Sequence, residues 1–211
     1  MPQTERIELG RVLRAANLAE NSFDEAANTV DVIWSTGASV ARYDYRSGRP
    51  YNEVLSMDPD AVRLDRLNVG APFLNTHNDM SLGQVLGSVV PGSARIDGGR
   101  GLAKIQLTRR ADAAGVVQDI RDGVIRNISV GYRLHRVDKM DMGEDMPMTW
   151  NVVDWEPMEI SAVPVPADAG AQVRGEKPGE VFPCVFTRSG RSANAAIAAR
   201  MRMRARLGGV A

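Results

Sequence analysis

The sequence predicts an α+β fold that is mostly β: an antiparallel β-barrel flanked by short helices, followed by a basic, partly helical C-terminal tail. Three observations predict it. From Thr29 onward, apolar and β-branched residues fall in short runs, several of them alternating with polar residues, broken by Gly, Pro and Asp. Just two segments of the body place apolar residues at helical spacing, and both are short. The connections between the strand runs are mostly too short for the helical crossovers that parallel strands need, so a sheet of antiparallel strands, closed or nearly closed on itself, is the economical arrangement.

The elements follow in order. Residues 1–28 carry little strand signal and read as an N-terminal segment. Residues 29–34 and 39–43 read as two strands with Gly-containing breaks. Asp58-Pro59 starts a helix, Asp as N-cap and Pro at the first helical position, with Ala61, Leu64 and Leu67 along one face. Residues 73–77, 83–90 and 102–107 are strands, the last two separated by a Pro91-Gly92 turn. Ala113, Val116, Val117 and Ile120 make one face of a second helix, which ends near Asp122 because Gly123 takes the left-handed stop. Residues 125–137 form the longest strand: Ile128, Val130, Tyr132 and Leu134 share one face, leaving Asn127, Ser129, Gly131 and Arg133 on the other. An acidic, Met-rich hairpin loop over 138–148 precedes strands over 149–154 and 158–163, and Pro164 and Pro166 close the ordered domain, 29–166. Residues 167–211 read as a linker and tail, with helix formers over 193–207.

Composition bounds the function. A chain of 211 residues with 44% apolar and 25% charged residues is an ordinary globular one. The lone Cys184 has no intramolecular disulfide partner, no apolar run approaches the roughly 20 residues of a membrane span, and the polar N-terminus shows no signal peptide, so a reducing cytoplasm is expected. The balance of 26 basic and 26 acidic side chains hides an asymmetry: no Asp or Glu follows Glu180, whereas six arginines do, from Arg188 to Arg206. The body is acidic and the tail a candidate basic arm. With 5% aromatic residues and an acidic body, a nucleic-acid-binding barrel is disfavoured.

Chemistry has few places to sit. No phosphate loop, dinucleotide fingerprint, metal-binding His-Glu-x-x-His or Gly-x-Ser-x-Gly elbow is present, and no cofactor or metal is expected. Two histidines, His77 and His135, are the only imidazole bases. Ser129 lies on the polar side of the longest strand beside Gly131, whose missing side chain leaves room for a substrate backbone. His135 shares that strand face but lies about 20 Å along it from Ser129, at about 3.3 Å per residue.

These residues stand in an ordered series. Phe73-Leu74-Asn75-Thr76-His77-Asn78, then Gly83-Gln84-Val85-Leu86-Gly87-Ser88-Val89, then Ile120-Arg121-Asp122-Gly123-Val124-Ile125, Ile128-Ser129-Val130-Gly131-Tyr132 and Glu156-Pro157-Met158-Glu159-Ile160-Ser161-Ala162-Val163-Pro164 together resemble the tailed-phage prohead proteases over about residues 50–170. That family is similar to the herpesvirus assemblins, β-barrels flanked by helices that carry a serine nucleophile and a histidine base. The resemblance implies that Ser129 is the nucleophile and His77 the general base. For the third position Glu159 is the candidate, with Asp154 and Asp79 in reserve, because a carboxylate accepting the His77 ring N–H would hold the productive tautomer. Assemblins carry a paired-arginine loop after the nucleophile strand, whereas Arg109-Arg110 precedes Ser129 here. The expected function is a serine endopeptidase that cleaves scaffold segments of the major capsid protein, and itself, inside the immature prohead in the bacterial cytoplasm. The expected partners are the capsid or scaffold polypeptide and a second copy of the chain, with no membrane and no specific nucleic acid. The alternative is a non-catalytic capsid-assembly module with the same barrel.

Overall fold

Each alternating run becomes a strand where a neighbour can take up its backbone hydrogen bonds. The computed structural model of the chain describes residues 3–9, 11–18, 22–141, 146–164 and 182–188. Twelve strands are found there: β1 (Gln3–Leu9), β2 (Val12–Leu18), β3 (Thr29–Ser35), β4 (Val40–Asp44), β5 (Arg49–Leu55), β6 (Pro72–Asn75), β7 (Val85–Val89), β8 (Arg95–Asp97), β9 (Arg100–Leu107), β10 (Asn127–Met140), β11 (Met148–Ala162) and β12 (Phe182–Arg188). Two helices accompany them, α1 (Asp65–Asn68) and α2 (Ala114–Arg121).

The strands form one mixed sheet in the order β1-β12-β10-β2-β3-β9-β7-β6-β11-β5-β4, with β8 attached to β9. The path has free ends at β1 and β4, so the sheet is open and mixed rather than the closed antiparallel barrel expected. The reason lies in the lengths of β10 and β11, 14 and 15 residues. Their first and last halves, respectively, pair with β2 and β6, and the two strands also pair with each other. Their other halves take different neighbours: β10 pairs with β12 through Arg136 to Lys139, and β11 with β5 through Met148 to Val152. These pairings and β11–β6 are parallel.

Four local expectations change. The helix expected from Asp58 is a single 3-10 turn, Pro59–Ala61, capped by the Asp58 carboxylate, followed by the four-residue α1. Between them Val62 bridges to Trp155 and the Arg63 N–H donates to the Trp155 carbonyl at 2.9 Å, a tertiary pairing that outcompetes helix continuation. The strands expected over 149–154 and 158–163 are one strand, because Pro157 sits beside a register shift where a missing N–H is tolerated. The hairpin loop is shorter than 138–148, since Met140 and Met148 are buried at the strand ends. Residues 1–28, read as carrying little strand signal, hold β1 and β2, and the segment read as linker and tail holds β12, which pairs with β1 and β10 and buries Cys184 and Phe186. The rest of 167–211, including the expected helix over 193–207, lies outside the described residues. The second helix agrees with expectation, and Gly123 follows it at φ +70°.

The core packs Trp34, Trp155, Tyr132, Phe73, Leu55 and Ile160, with Trp34 and Tyr132 edge-on to Trp155 at centroid distances of 5.8 and 5.5 Å. Gly101 gives Trp34 its place, since a Cβ there would lie 2.5 Å from the indole ring. One charged cluster is enclosed: Glu53 on β5 accepts from Arg14 at 3.1 Å, from Arg42 at 2.9 Å and from the Tyr132 hydroxyl. No helix among the described residues is long and apolar enough to cross a membrane.

Candidate active site

Strand register assembles the site. Across the β10–β11 ladder, Ser129 stands opposite Ser161 and Gly131 opposite Glu159, so these four share one face. The next pair, Tyr132 with Pro157, skips Met158, a bulge beside Glu159. On the other side of β11, β6 runs parallel, with Leu74 opposite Ser161 and Asn75 opposite Ala162. The end of β6 therefore delivers Thr76 and His77 beside Glu159 and Ser161.

The chain turns sharply there. Thr76 and His77 both adopt left-handed backbone conformations, φ +51° and +58°, which are unfavourable for residues with a Cβ and rare for a β-branched one. Specific bonds hold them: the Thr76 N–H donates to the Ala162 carbonyl at 2.9 Å, the His77 N–H to Ser161 Oγ at 3.2 Å, and the Asn78 N–H to the Asn75 carbonyl at 3.0 Å. The loop that follows is anchored by two arginines. Arg11 reaches Asp79 at 3.1 Å and the His77 carbonyl at 3.4 Å; Arg110 donates to the carbonyls of Leu82 and Gly83 at 2.7 and 2.9 Å.

His77 Nδ1 lies 2.7 Å from Glu159 Oε1. An ionised carboxylate only accepts hydrogen bonds, so in the neutral imidazole this contact takes an Nδ1–H and the lone pair lies on Nε2. The other oxygen, Oε2, accepts from Ser161 Oγ at 2.5 Å. The Glu159 side chain is 3% exposed and that of His77 14%, an enclosed anion behind a base with access to solvent. Ser129 is 1% exposed, and its Oγ hydrogen-bonds to no group among the described residues. The site thus contains an oriented imidazole and, on the same sheet face, a hydroxyl with no competing partner.

Other candidates are committed elsewhere. His135 Nε2 is 3.3 Å from Glu156, and Asp154 accepts from Arg63 Nε and from one of its terminal nitrogens, each at 2.7 Å. Asp79 is bonded to Arg11, and the Arg110 guanidinium is occupied by the loop after His77. The room at Gly131 has a different use from the one expected: a Cβ there would lie 2.1 Å from Glu159 Oε1, so the absent side chain makes space for the carboxylate, with Arg11 alongside. The roles of Arg11, Ser161 and the left-handed turn carry no local signature; the one available signal is the Glu159-x-Ser161 spacing, which puts both side chains on one face.

Comparison with known proteins locates this arrangement in a family. The family model described as caudovirus prohead serine protease matches residues 57–180, a span that contains His77, Ser129, Glu159 and Ser161 but not Arg11. Over 116 residues the chain is 32% identical to a protein named major capsid protein from Halomonas phage phiHAP-1 (isolate -/Gulf of Mexico/-/2001). The aligned region covers 55% of this chain and 19% of that relative, so the match spans about a fifth of the longer protein. No solved structure matches.

Proposed function

The chain belongs to the caudovirus prohead serine protease family, and on that premise we propose that it is a serine endopeptidase of capsid maturation. Its substrate in this reading is the scaffold segment of the capsid subunit, together with its own chain, inside the prohead. The observation that carries the reading is the 2.7 Å contact between His77 Nδ1 and the enclosed Glu159 carboxylate, on the sheet face that bears Ser129. Ser129 Oγ attacks the scissile carbonyl carbon while His77 Nε2 takes its proton, and the leaving amine then receives that proton as the acyl-enzyme forms. Water attacks the ester with Nε2 as base again, and Ser129 is restored. Glu159 keeps the Nδ1 proton in place and stabilises the imidazolium of each transition state. No Ser129–His77 hydrogen bond is present among the described residues; in this reading it forms when substrate docks, as catalytic hydrogen bonds often tighten in the substrate complex.

The name of the phage relative supports the capsid subunit as partner, and the family resemblance supports a homodimer. One observation favours the non-catalytic module: Ser129 is 1% exposed. A single comparison separates the two readings. Wild-type and Ser129→Ala chains are incubated with the capsid precursor, the fragments are mapped, and a fluorophosphonate probe is applied to each. Cleavage and labelling lost with Ser129 support the protease; unchanged processing, or a wild-type chain that neither cleaves nor labels, overturns it.

A further inference from the structure

We propose that Ser161 is a positioning residue that locks the histidine and the carboxylate of this site into one unit; the inference rests on the protease reading above. Ser161 is fully buried, directly across the ladder from Ser129, and its hydroxyl serves two partners at once. It donates to Glu159 Oε2 at 2.5 Å and accepts the His77 backbone N–H at 3.2 Å. The first bond leaves Oε1 free to take the His77 Nδ1 proton and stops the carboxylate from rotating away. The second satisfies an N–H on a residue held at φ +58°, a conformation that persists only when its surroundings determine it. One hydroxyl therefore ties the imidazole at its backbone and at its ring, through Glu159.

The same bonds separate the two serines. The Ser161 proton is committed to a carboxylate, whereas Ser129 Oγ has no partner among the described residues. Although the two face each other across the ladder, only Ser129 is free to give its proton to Nε2. Among the described residues, the charged groups bonded to His77 are Glu159 at its ring and Arg11 at its carbonyl, and Asp79 is bonded in turn to Arg11.

The experiment measures the second-order rate of fluorophosphonate labelling of the full chain against pH, for wild type, Ser161→Ala, Ser161→Cys, Ser161→Thr and Ser129→Ala. Losing the hydroxyl is expected to slow labelling roughly 10- to 100-fold, by analogy with the loss of an outer partner that orients a metal-bound imidazole. Freed to rotate away from the ring, Glu159 holds the imidazolium less firmly, so the acid limb of the profile moves to lower pH. Cys fills the same space with a weak donor and should shift rate and limb in the same direction, whereas Thr restores both. Should Ala unfold, the Cys and Thr pair decides. A rate within threefold of wild type, or a slower rate with the limb unmoved, overturns the positioning role. If Ser129→Ala still labels, the protease reading itself fails; if it does not and the Ser161 variants behave as wild type, this inference alone fails.

Discussion

Glu159→Gln is the perturbation that most directly tests how the site works. The carboxylate accepts two donors, the His77 ring N–H at 2.7 Å and the Ser161 hydroxyl at 2.5 Å, and it is enclosed. A glutamine of the same shape offers one accepting oxygen. If that oxygen keeps His77, the amide faces Ser161, whose hydroxyl must turn to accept; if it keeps Ser161, the amide faces Nδ1 and moves the ring proton to Nε2, which then opposes Ser129 as a donor. In both cases the attraction for the imidazolium disappears. With charges about 4 Å apart and an effective dielectric near 20, that attraction is worth ~4 kcal/mol. At 1.36 kcal/mol per tenfold this is about 10³ in rate, and partial solvent access to the ring reduces it towards 10². The assay is kcat/KM on the capsid precursor, with Tm measured in parallel. The variant should be folded, slower by about 10² to 10³, and still faster than Ser129→Ala. A folded variant within threefold of wild type would refute the orienting role, as would one no better than the serine knockout.

Two further outcomes follow from other contacts. Gly131→Ala puts a Cβ where Glu159 Oε1 lies, so it should displace the carboxylate and cost activity at least as much as Glu159→Gln, with a loss of about 1–3 kcal/mol in denaturant unfolding from overpacking; wild-type turnover would mean that the carboxylate position does not matter. Glu53→Gln leaves the Arg14 and Arg42 guanidiniums enclosed without their anion, which should cost about 3 kcal/mol and lower Tm by roughly 10 °C. Burial pushes the Glu53 carboxyl up, but Arg42 and Arg14 outweigh burial and hold it below the usual range. A depressed folded value contributes stability above the ordinary glutamate pKa of about 4.3, and that contribution fades as pH falls below it. Wild type should therefore lose stability through this window more steeply than Glu53→Gln, and parallel curves would contradict the assignment.

Local reading succeeded where short-range chemistry decides. Asp58 caps a turn and Gly123 ends α2 because both act on groups a few residues away. Alternation set the face of Ser129 relative to Tyr132, and a histidine at the end of a strand in a polar turn is where His77 stands. It failed where a distant segment wins. The helix after Asp58 yields to Trp155, and β12 is a strand because β1 and β10 supply its partners.

By itself, the sequence determined the residue types at the site, the strand faces they occupy, the mostly β character of the chain and the motif series that marks the family. Tertiary structure decided which of those residues meet: that His77 pairs with Glu159, 82 positions away, rather than with Asp154 or Asp79; that Ser161 bonds both of them; and that the space at Gly131 belongs to a carboxylate. The physical reason is that alternation specifies a face but not a neighbour. A strand's backbone bonds run sideways to segments remote in sequence, and only the register between β10, β11 and β6 brings His77 beside Glu159 and Ser161.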